Sequence, residues 1–281
     1  MDLQALGVPR DRRGRERYVR EMFDSISSRY DLLNRLLSFW QDVLWRRSAA
    51  AQACALGARR VLDVATGTGD LALELSRRMG PGACVVGLDF AFGMMDVAKR
   101  KLNRRGAAGR PGGSVRLACA NALFLPFADG SFDAAATAFA ARNVADLHRY
   151  FAEMRRVVRP GGRVVCLELS HPRGRLWRRL YEFYFYRIVP RLGRWIIGRS
   201  GPYDYLPGSL TAFPDQDRLA SIMEKAGLVS VRFKNLLGGI AAIHVGQVPP
   251  GRSEGEFGAR LGQENGRGQW LRDSAGKSLQ R

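Results

Sequence analysis

The chain has 281 residues, 46% of them hydrophobic, enough for one or two domains with their own cores and too apolar for a chain that stays disordered. Collagen-like, fibrous and disulfide-framework classes are excluded by composition and by the wide spacing of Cys54, Cys84, Cys119 and Cys166. Lys and Arg number 45 against 26 Asp and Glu, a net +19, which calls for an anionic partner: nucleic acid, an acidic membrane surface or an anionic ligand.

Residues 1–16 are polar and basic, with no apolar run after Met1, so neither a signal peptide nor order is expected there. Helical spacing of Phe23, Ile26, Tyr30, Leu33 and Leu37 predicts a helix over 18–39, and a second covers 42–56. From residue 61 short apolar runs alternate with amphipathic stretches. VLDVA (61–65), CVVGLD (84–89), SVRLACA (114–120), FDAAATAFA (132–140) and RVVCLELS (163–170) read as strands, with helices over 69–79, 92–105 and 146–158. That alternation predicts an α/β fold with a doubly wound parallel sheet. VSVRFKN and GGIAAIHVG then predict an antiparallel hairpin that completes it. Three of the four cysteines fall in strand-like runs and no CxxC occurs, so they read as buried thiols of a reducing cytoplasm. Charges recur too often for a transmembrane helix. The folded body is expected over 17–246, with a flexible Gly-rich tail over 247–281.

Ligands of open α/β sheets bind at the carboxyl ends of the strands. The first exit reads Asp63-Val64-Ala65-Thr66-Gly67-Thr68-Gly69-Asp70, in which Gly67 and Gly69 permit a tight turn and close backbone approach. The second run ends on Asp89, placed to accept from both hydroxyls of a ribose, and the third on Asn121-Ala122, whose amide can read an adenine edge. Gly67-x-Gly69-x-x-Ala72 with Asp89 also fits a relaxed dinucleotide fingerprint. Asp63 and Asp70 oppose a pyrophosphate at that turn and suit S-adenosylmethionine, which has no phosphate and carries an ammonium and a sulfonium. An ordinary turn with helix-capping aspartates is the bland alternative.

VLDVATGTGDLALEL, GLDFAFGMMDVAKRK, NALFLPFADGSFD, FAARNVADLHRYFAEMRRVVRPGGRVVCLELS and YLPGSLTAFPDQDRLASIMEKAGL together resemble the quinone C-methyltransferase family. With MFDSISSRYDLLNRLLSF and GGIAAIHVG the likeness spans about 20–246. It implies a class I S-adenosylmethionine-dependent methyltransferase: a Rossmann-like seven-stranded sheet with the last strands antiparallel, an N-terminal helical cap and a helical lid inserted at about 172–200. It implies donor binding at Thr68, Asp89, Asn121 and Ala122, methylation of a polyprenyl quinol, and a reaction role for Arg142-Asn143. It also implies that the helix bearing Tyr30, Asp31 and Asn34 closes over the donor, with Tyr30 beside the chemistry. LYEFYFYRIVPRLG is nearer to the menaquinone branch, so demethylmenaquinol is the expected acceptor and a methoxy-polyprenyl benzoquinol the rival. One departure is Phe139-Ala140-Ala141-Arg142-Asn143, where the family commonly has Gly and an aliphatic before Arg-Asn; loss of that glycine could narrow the floor of the site.

A ring carbon becomes nucleophilic only when a neighbouring hydroxyl ionises, so a base or positive group is needed beside that oxygen. Arg142 suits electrostatic stabilisation of the phenolate, since a guanidine with a pKa of roughly 12.5 to 13.8 is a poor base; pairing with Asp146 is its structural alternative. Residues 172–199 put Leu176, Trp177, Leu180, Tyr181, Tyr184, Phe185, Ile188 and Val189 on one helical face, among eight arginines and one glutamate, a net +7. Trp177, Tyr181, Tyr184 and Phe185 are expected to wall in the substrate, and the basic face to lie on an anionic bilayer, placing the protein peripherally at the inner face of the cell membrane. Pro190 should break or kink this helix. His148, His171 and His244 have no ligand spacing, and no metal is assigned. An RNA-binding or RNA-modifying role uses similar residue types, but no RNA-binding appendage is recognisable and no nucleic-acid partner is expected. Oligomeric state is left open, a homodimer included.

Overall fold

The computed structural model describes residues 7–9, 11–109, 111–192 and 202–251. Helix α1 (Arg12–Ile26) is started by Asp11, whose carboxylate accepts from the Gly14 amide at 2.8 Å, and it buries Val19, Met22 and Ile26. Residues 12–16, expected to be disordered, are thus helical. Nor do 18–39 make one helix. The Ser25 and Ser27 hydroxyls bond back to the carbonyls of Met22 and Asp24, α1 stops at Ile26, and α2 (Tyr30–Leu37) begins anew.

After α3 (Gln41–Cys54) the chain enters the alternating region. In order come β1 (Arg60–Val64), α4 (Asp70–Arg78), β2 (Cys84–Asp89), α5 (Phe92–Ala107), β3 (Ser114–Cys119) and β4 (Phe132–Ala138), then a 3₁₀ turn (Ala141–Asn143), α6 (Leu147–Val157) and β5 (Val158–Leu169). The lid follows as α7 (Arg175–Phe183) and a π turn (Tyr184–Ile188), and the chain stays helical through Pro190 to Leu192. The irregularity expected at the proline therefore lies in the widened turn just before it. Residues 193–201, including the rest of the expected lid, lie outside the described residues. Helices α8 (Pro202–Ala212) and α9 (Gln216–Lys225), then β6 (Val229–Leu236) and β7 (Ala241–Gln247), complete the fold.

The seven strands run β3-β2-β1-β4-β5-β7-β6, with β7 antiparallel to both neighbours. The inner strands β2, β1, β4, β5 and β7 are covered on both faces, which is why they read as unbroken apolar runs; the edge strands β3 and β6 are not, and Cys119 at the end of β3 is exposed rather than buried as expected. One face packs Leu62, Val64 and Leu88 against Tyr150, Phe151 and Met154 of α6 and Met223 of α9. On the other, Val61, Val85 and Val165 meet Trp45, Ala49 and Ala53 of α3 and Leu71 and Leu75 of α4. Strand order turns at β1 and β4, so the crevice between their carboxyl ends is where a ligand is expected. Val248 is buried and its amide bonds to the Gly162 carbonyl, so order extends two residues past the expected body; most of the expected tail, 252–281, lies outside the described residues.

Candidate active site

The crevice holds two cavities that share a wall. The first, enclosing about 990 Å³ of space partly open to solvent, lies at the exits of β1, β2 and β3 and is roofed by Glu16, Val19 and Phe23 of α1 and Tyr30 of α2. Its loop turns on Gly67 (φ +55°) and Gly69 (φ +82°); a Cβ at Gly67 would meet no protein atom, whereas one at Gly69 would press on Ala98 of α5 at 3.1 Å. Asp89 holds the loop: Oδ2 accepts from the Gly67 amide at 2.8 Å, and Oδ1 from the Phe90 and Ala91 amides at 2.8 and 2.9 Å. A carboxylate has about four acceptor sites, so Asp89 can take one ribose hydroxyl rather than the two expected without releasing an amide.

Asp63 is buried with Thr66 donating to Oδ2 at 2.6 Å, while Oδ1 has no partner. Burial pushes its carboxyl up to about 7, against the Thr66 hydrogen bond and helped by the nearby Asp89. Asp70 is half-buried, but Lys101 and Arg46 outweigh the desolvation and hold its carboxyl below the usual range. Lys101 Nζ lies 2.5 Å from both Asp70 and Asp31, and Asp31 accepts from the Thr68 hydroxyl at 2.5 Å, so α2 is fastened onto the glycine loop. Asn121 sits on the wall with its amide donating to Glu16 at 3.2 Å and its oxygen accepting from the Leu123 amide. It steers α1 and keeps one N–H and one lone pair for a base, and Ala122 beside it lines the same cavity.

The second cavity, about 1180 Å³, is lined mainly by apolar groups: Leu37, Phe39, Trp45, Leu169, Leu180, Phe185, Val189, Leu206 and Ile240. The lid aromatics Trp177, Tyr181, Tyr184 and Phe185 all line it. Trp177 Nε1 donates to the Leu237 carbonyl at 3.2 Å and the Tyr184 hydroxyl to the Leu37 carbonyl at 3.0 Å, anchoring the lid on opposite sides. Among the described residues its ionic linings are Arg142 and Asp42.

Phe139 lines both cavities and is their common wall. It holds a left-handed φ of +61°, a costly conformation for an aromatic residue that surroundings must enforce. Its amide donates to the Leu167 carbonyl at 2.8 Å, and its ring lies 4.9 Å from the Arg46 guanidinium and 6.3 Å from Trp45. The next residue, Ala140, stands where the family commonly has glycine, yet its φ of −113° suits any residue. The following turn sends neighbours to different cavities: Asn143 lines the first and Arg142 the second. Arg142 does not pair with Asp146, which caps α6 through the Arg149 amide. Its Nη1 donates to Glu168 at 2.5 Å and to the Phe139 carbonyl at 3.0 Å. Burial opposes the charge on Arg142, but Glu168 outweighs it and keeps the guanidinium protonated above its ordinary range. Base catalysis by Arg142 is thereby disfavoured.

Four carboxylates, Glu16, Asp63, Asp70 and Asp89, line the first cavity against one guanidinium, Arg46, itself paired with Asp42. A pyrophosphate would be repelled, whereas a ligand carrying an ammonium and a sulfonium fits, with the unpartnered Asp63 oxygen as a ready acceptor. Glu16, Arg46 and Glu168 were not singled out by the sequence. Glu168 had a signal, since it closes β5 as Asp89 closes β2; Glu16 and Arg46 are placed by helix packing and had none.

Residues 12–248 match the family model described as the ubiE/COQ5 methyltransferase family. The chain belongs to that family. A demethylmenaquinone methyltransferase of Thermus thermophilus is 50% identical over 228 residues, covering 81% of this chain and all of that protein. A protein of the same name from Deinococcus radiodurans is 47% identical, covering 84% and 95%. A ubiquinone/menaquinone biosynthesis C-methyltransferase of Geobacter sulfurreducens is 43% identical, covering 82% and 88%. Among solved structures, a Thermotoga maritima SAM-dependent methyltransferase, described as a possible histamine N-methyltransferase, shares 18% identity at a TM-score of 0.52, covering 80% and 99%. A Haemonchus contortus phosphoethanolamine N-methyltransferase bound to S-adenosylhomocysteine shares 15% at 0.51, covering 72% and 53%. These two likenesses show the fold. As a member of the ubiE/COQ5 family the chain is a methyltransferase, and its two cavities are the candidate donor and acceptor sites.

Proposed function

We propose that this methyltransferase C-methylates demethylmenaquinol, using the first cavity for the donor and the second for the acceptor. The donor is S-adenosylmethionine, which supplies an electrophilic methyl group on a sulfonium when bound. Asp63, Asp89, the Gly67-Thr68-Gly69 backbone, Asn121 and Ala122 would hold it. The observation that carries the reading is an acidic cavity and an apolar cavity meeting at Phe139, with Arg142 on the apolar side.

Arg142 would hold one ring oxygen as the phenolate once its proton has gone to water, concentrating negative charge on the adjacent ring carbon. Asn143, whose Oδ1 is buried without a partner, and Tyr30 complete the polar edge of the donor side. Phe139 and Trp45 exclude water where ring and donor meet. After transfer the ring carbon loses its proton and aromaticity returns. The apolar walls suit a prenyl tail. Relatives named for demethylmenaquinone support the naphthoquinol over a methoxy-polyprenyl benzoquinol. With both quinols at short chain length, kcat/KM should favour demethylmenaquinol; a preference for the benzoquinol would reverse the assignment.

Affinity for the donor should depend on pH. In the free protein the folded Asp63 pKa of about 7 stands above its unfolded value of 3.8, so ionising it costs stability as pH rises from about 4 to 7. The ammonium group that donor and adenosylhomocysteine share binds the ionised form. Affinity for adenosylhomocysteine is therefore expected to rise about tenfold per unit below pH 7 and level off above it. Calorimetry giving one affinity from pH 5.5 to 7.5 would remove Asp63 from donor recognition.

No helix among the described residues is long and apolar enough to cross a membrane. Large apolar side chains nonetheless stand exposed at the acceptor cavity and next to it in the chain: Phe39, 70% exposed, and Leu180, 54%, line it, Trp40 (56%) follows Phe39, and Leu176 (73%) and Phe183 (62%) share α7 with Leu180. Phe39 and Trp40 follow α2 with φ of +50° and +61°, large aromatics held outward in a conformation that favours glycine. Arg175, Arg179 and Arg187 stand exposed on the lid beside them. Such a surface supports peripheral docking on an anionic bilayer, through which a lipid quinol could enter. Replacing those three arginines with Gln should weaken binding to phosphatidylglycerol vesicles ~100-fold at low salt, at about 1 kcal/mol per charge. Phe39→Asn with Trp40→Asn should weaken it without loss of thermal stability, because Asn tolerates a left-handed backbone. Unchanged sedimentation with vesicles in both variants would place the membrane contact elsewhere.

A further inference from the structure

Beside Arg142 the acceptor cavity holds a second unmet polar group. The Tyr181 hydroxyl is buried without a hydrogen-bond partner, although its ring lines the cavity. Leaving a buried hydroxyl unpaired costs free energy, and native proteins seldom do so without a use. The ring cannot turn aside: it stacks on Phe185 at 5.2 Å and 24° and packs in a cluster with Leu33, Val189 and Leu210. Arg142 presents a matching gap, for its Nε is buried without a partner while Nη1 is spent on Glu168 and Phe139.

Glu168, only 1% exposed, uses both carboxylate oxygens in fixing that guanidinium. It takes Nη1 and the Leu169 amide, at 2.8 Å, on Oε1 and the Arg142 amide, at 3.2 Å, on Oε2. The carboxylate grips both the side chain and the backbone of one residue, which sets where Nε points. It also neutralises the resting guanidinium, so a neutral phenol meets no net charge in an apolar cavity, and only its ionisation brings a third charge.

Resting on the quinol reading of this cavity, we propose that Tyr181 is a further acceptor-binding residue, its O–H and the Arg142 Nε–H together receiving the ionising ring oxygen, and that Glu168 is the positioning residue that aims Arg142. Both donors would bond to an oxygen that changes from hydroxyl to oxyanion, and both bonds would strengthen with the charge. The phenol's proton leaves to water; no other bond changes in this step. A lid residue thus couples closure over the acceptor to its activation, because the second donor arrives only with α7 in place.

The test uses the whole protein with adenosylhomocysteine and 2-prenyl-1-naphthol, whose naphtholate absorbs at longer wavelength than the naphthol. In the wild type the bound probe should ionise at lower pH than the free probe. Tyr181→Phe keeps the stacked ring and should raise that midpoint by about one unit while kcat/KM for demethylmenaquinol falls about 10- to 100-fold. Glu168→Gln leaves the guanidinium uncompensated but no longer aimed, so its midpoint should not rise while kcat for demethylmenaquinol falls, with adenosylhomocysteine affinity unchanged in both variants. The proposal is overturned if wild type and Tyr181→Phe bind the probe with the same midpoint. It is equally overturned if the wild type methylates demethylmenaquinol yet leaves the probe's ionisation unmoved or does not bind it. Failure of the wild type to methylate the quinol at all would instead defeat the functional reading beneath it.

Discussion

Arg142→Lys is expected to lower turnover by about 10²- to 10³-fold while adenosylhomocysteine binds with wild-type affinity. Lysine keeps the positive charge but gathers its donors on one nitrogen, so once that nitrogen meets Glu168 and the Phe139 carbonyl, as Nη1 does, no donor stands at the place of Nε. Arg142 lines only the acceptor cavity, which is why donor affinity should be spared. Single-turnover kinetics under saturating donor separate the two effects, and a mutant with wild-type turnover would take Arg142 out of the reaction. Arg142→Ala should show a different penalty. It strands the buried Glu168 carboxylate without its counter-charge, and loss of one partner of such a pair costs about 3 to 5 kcal/mol. A denaturant midpoint equal to that of the wild type would show that the pair adds nothing to stability.

The second large effect belongs to Asp89. Asp89→Ala removes the acceptor of three backbone amides, those of Gly67, Phe90 and Ala91. Each amide left unmet costs about 1 to 3 kcal/mol, so stability and donor affinity should fall together. If the side chain served only the ribose, affinity would fall alone. Asp89→Asn keeps an oxygen for one set of amides and should fall between. Calorimetry with adenosylhomocysteine alongside thermal unfolding distinguishes these cases.

Why some of this was legible in the sequence and some not follows from the range of the interactions. Strand exits are local: Asp63, Gly67, Gly69 and Asp89 are placed by short segments of β1 and β2, and the rule that ligands gather at carboxyl ends finds them without knowing the packing. Glu168 obeys that rule at the end of β5, but its ion pair with Arg142 spans 26 residues and becomes apparent only when β4 and β5 lie side by side. Asp146, four residues from Arg142, was the nearer carboxylate along the chain and is used as a helix cap instead. The opening helices show the opposite error. Apolar spacing alone joins Phe23, Ile26, Tyr30 and Leu33, while serine hydroxyls returning to the backbone end α1 and turn α2 toward the glycine loop. Glu16 reaches the donor cavity because α1 folds back over α5, a contact that no local pattern records. The lid's aromatic face was legible as a period, but not its division. Tyr181, Phe185 and Val189 face the core, while Leu176, Leu180 and Phe183 face outward.

The central claim is methyl transfer from sulfonium to the carbon of a lipid quinol across Phe139. The most direct measurement incubates the protein with donor carrying a deuterated methyl group and short-chain demethylmenaquinol, then locates the label by fragmentation and carbon NMR. The account predicts the deuterated methyl on the ring carbon beside a hydroxyl, with both quinol oxygens unmethylated. Label on oxygen, or a quinol returned without label while the donor is consumed on RNA, would contradict it.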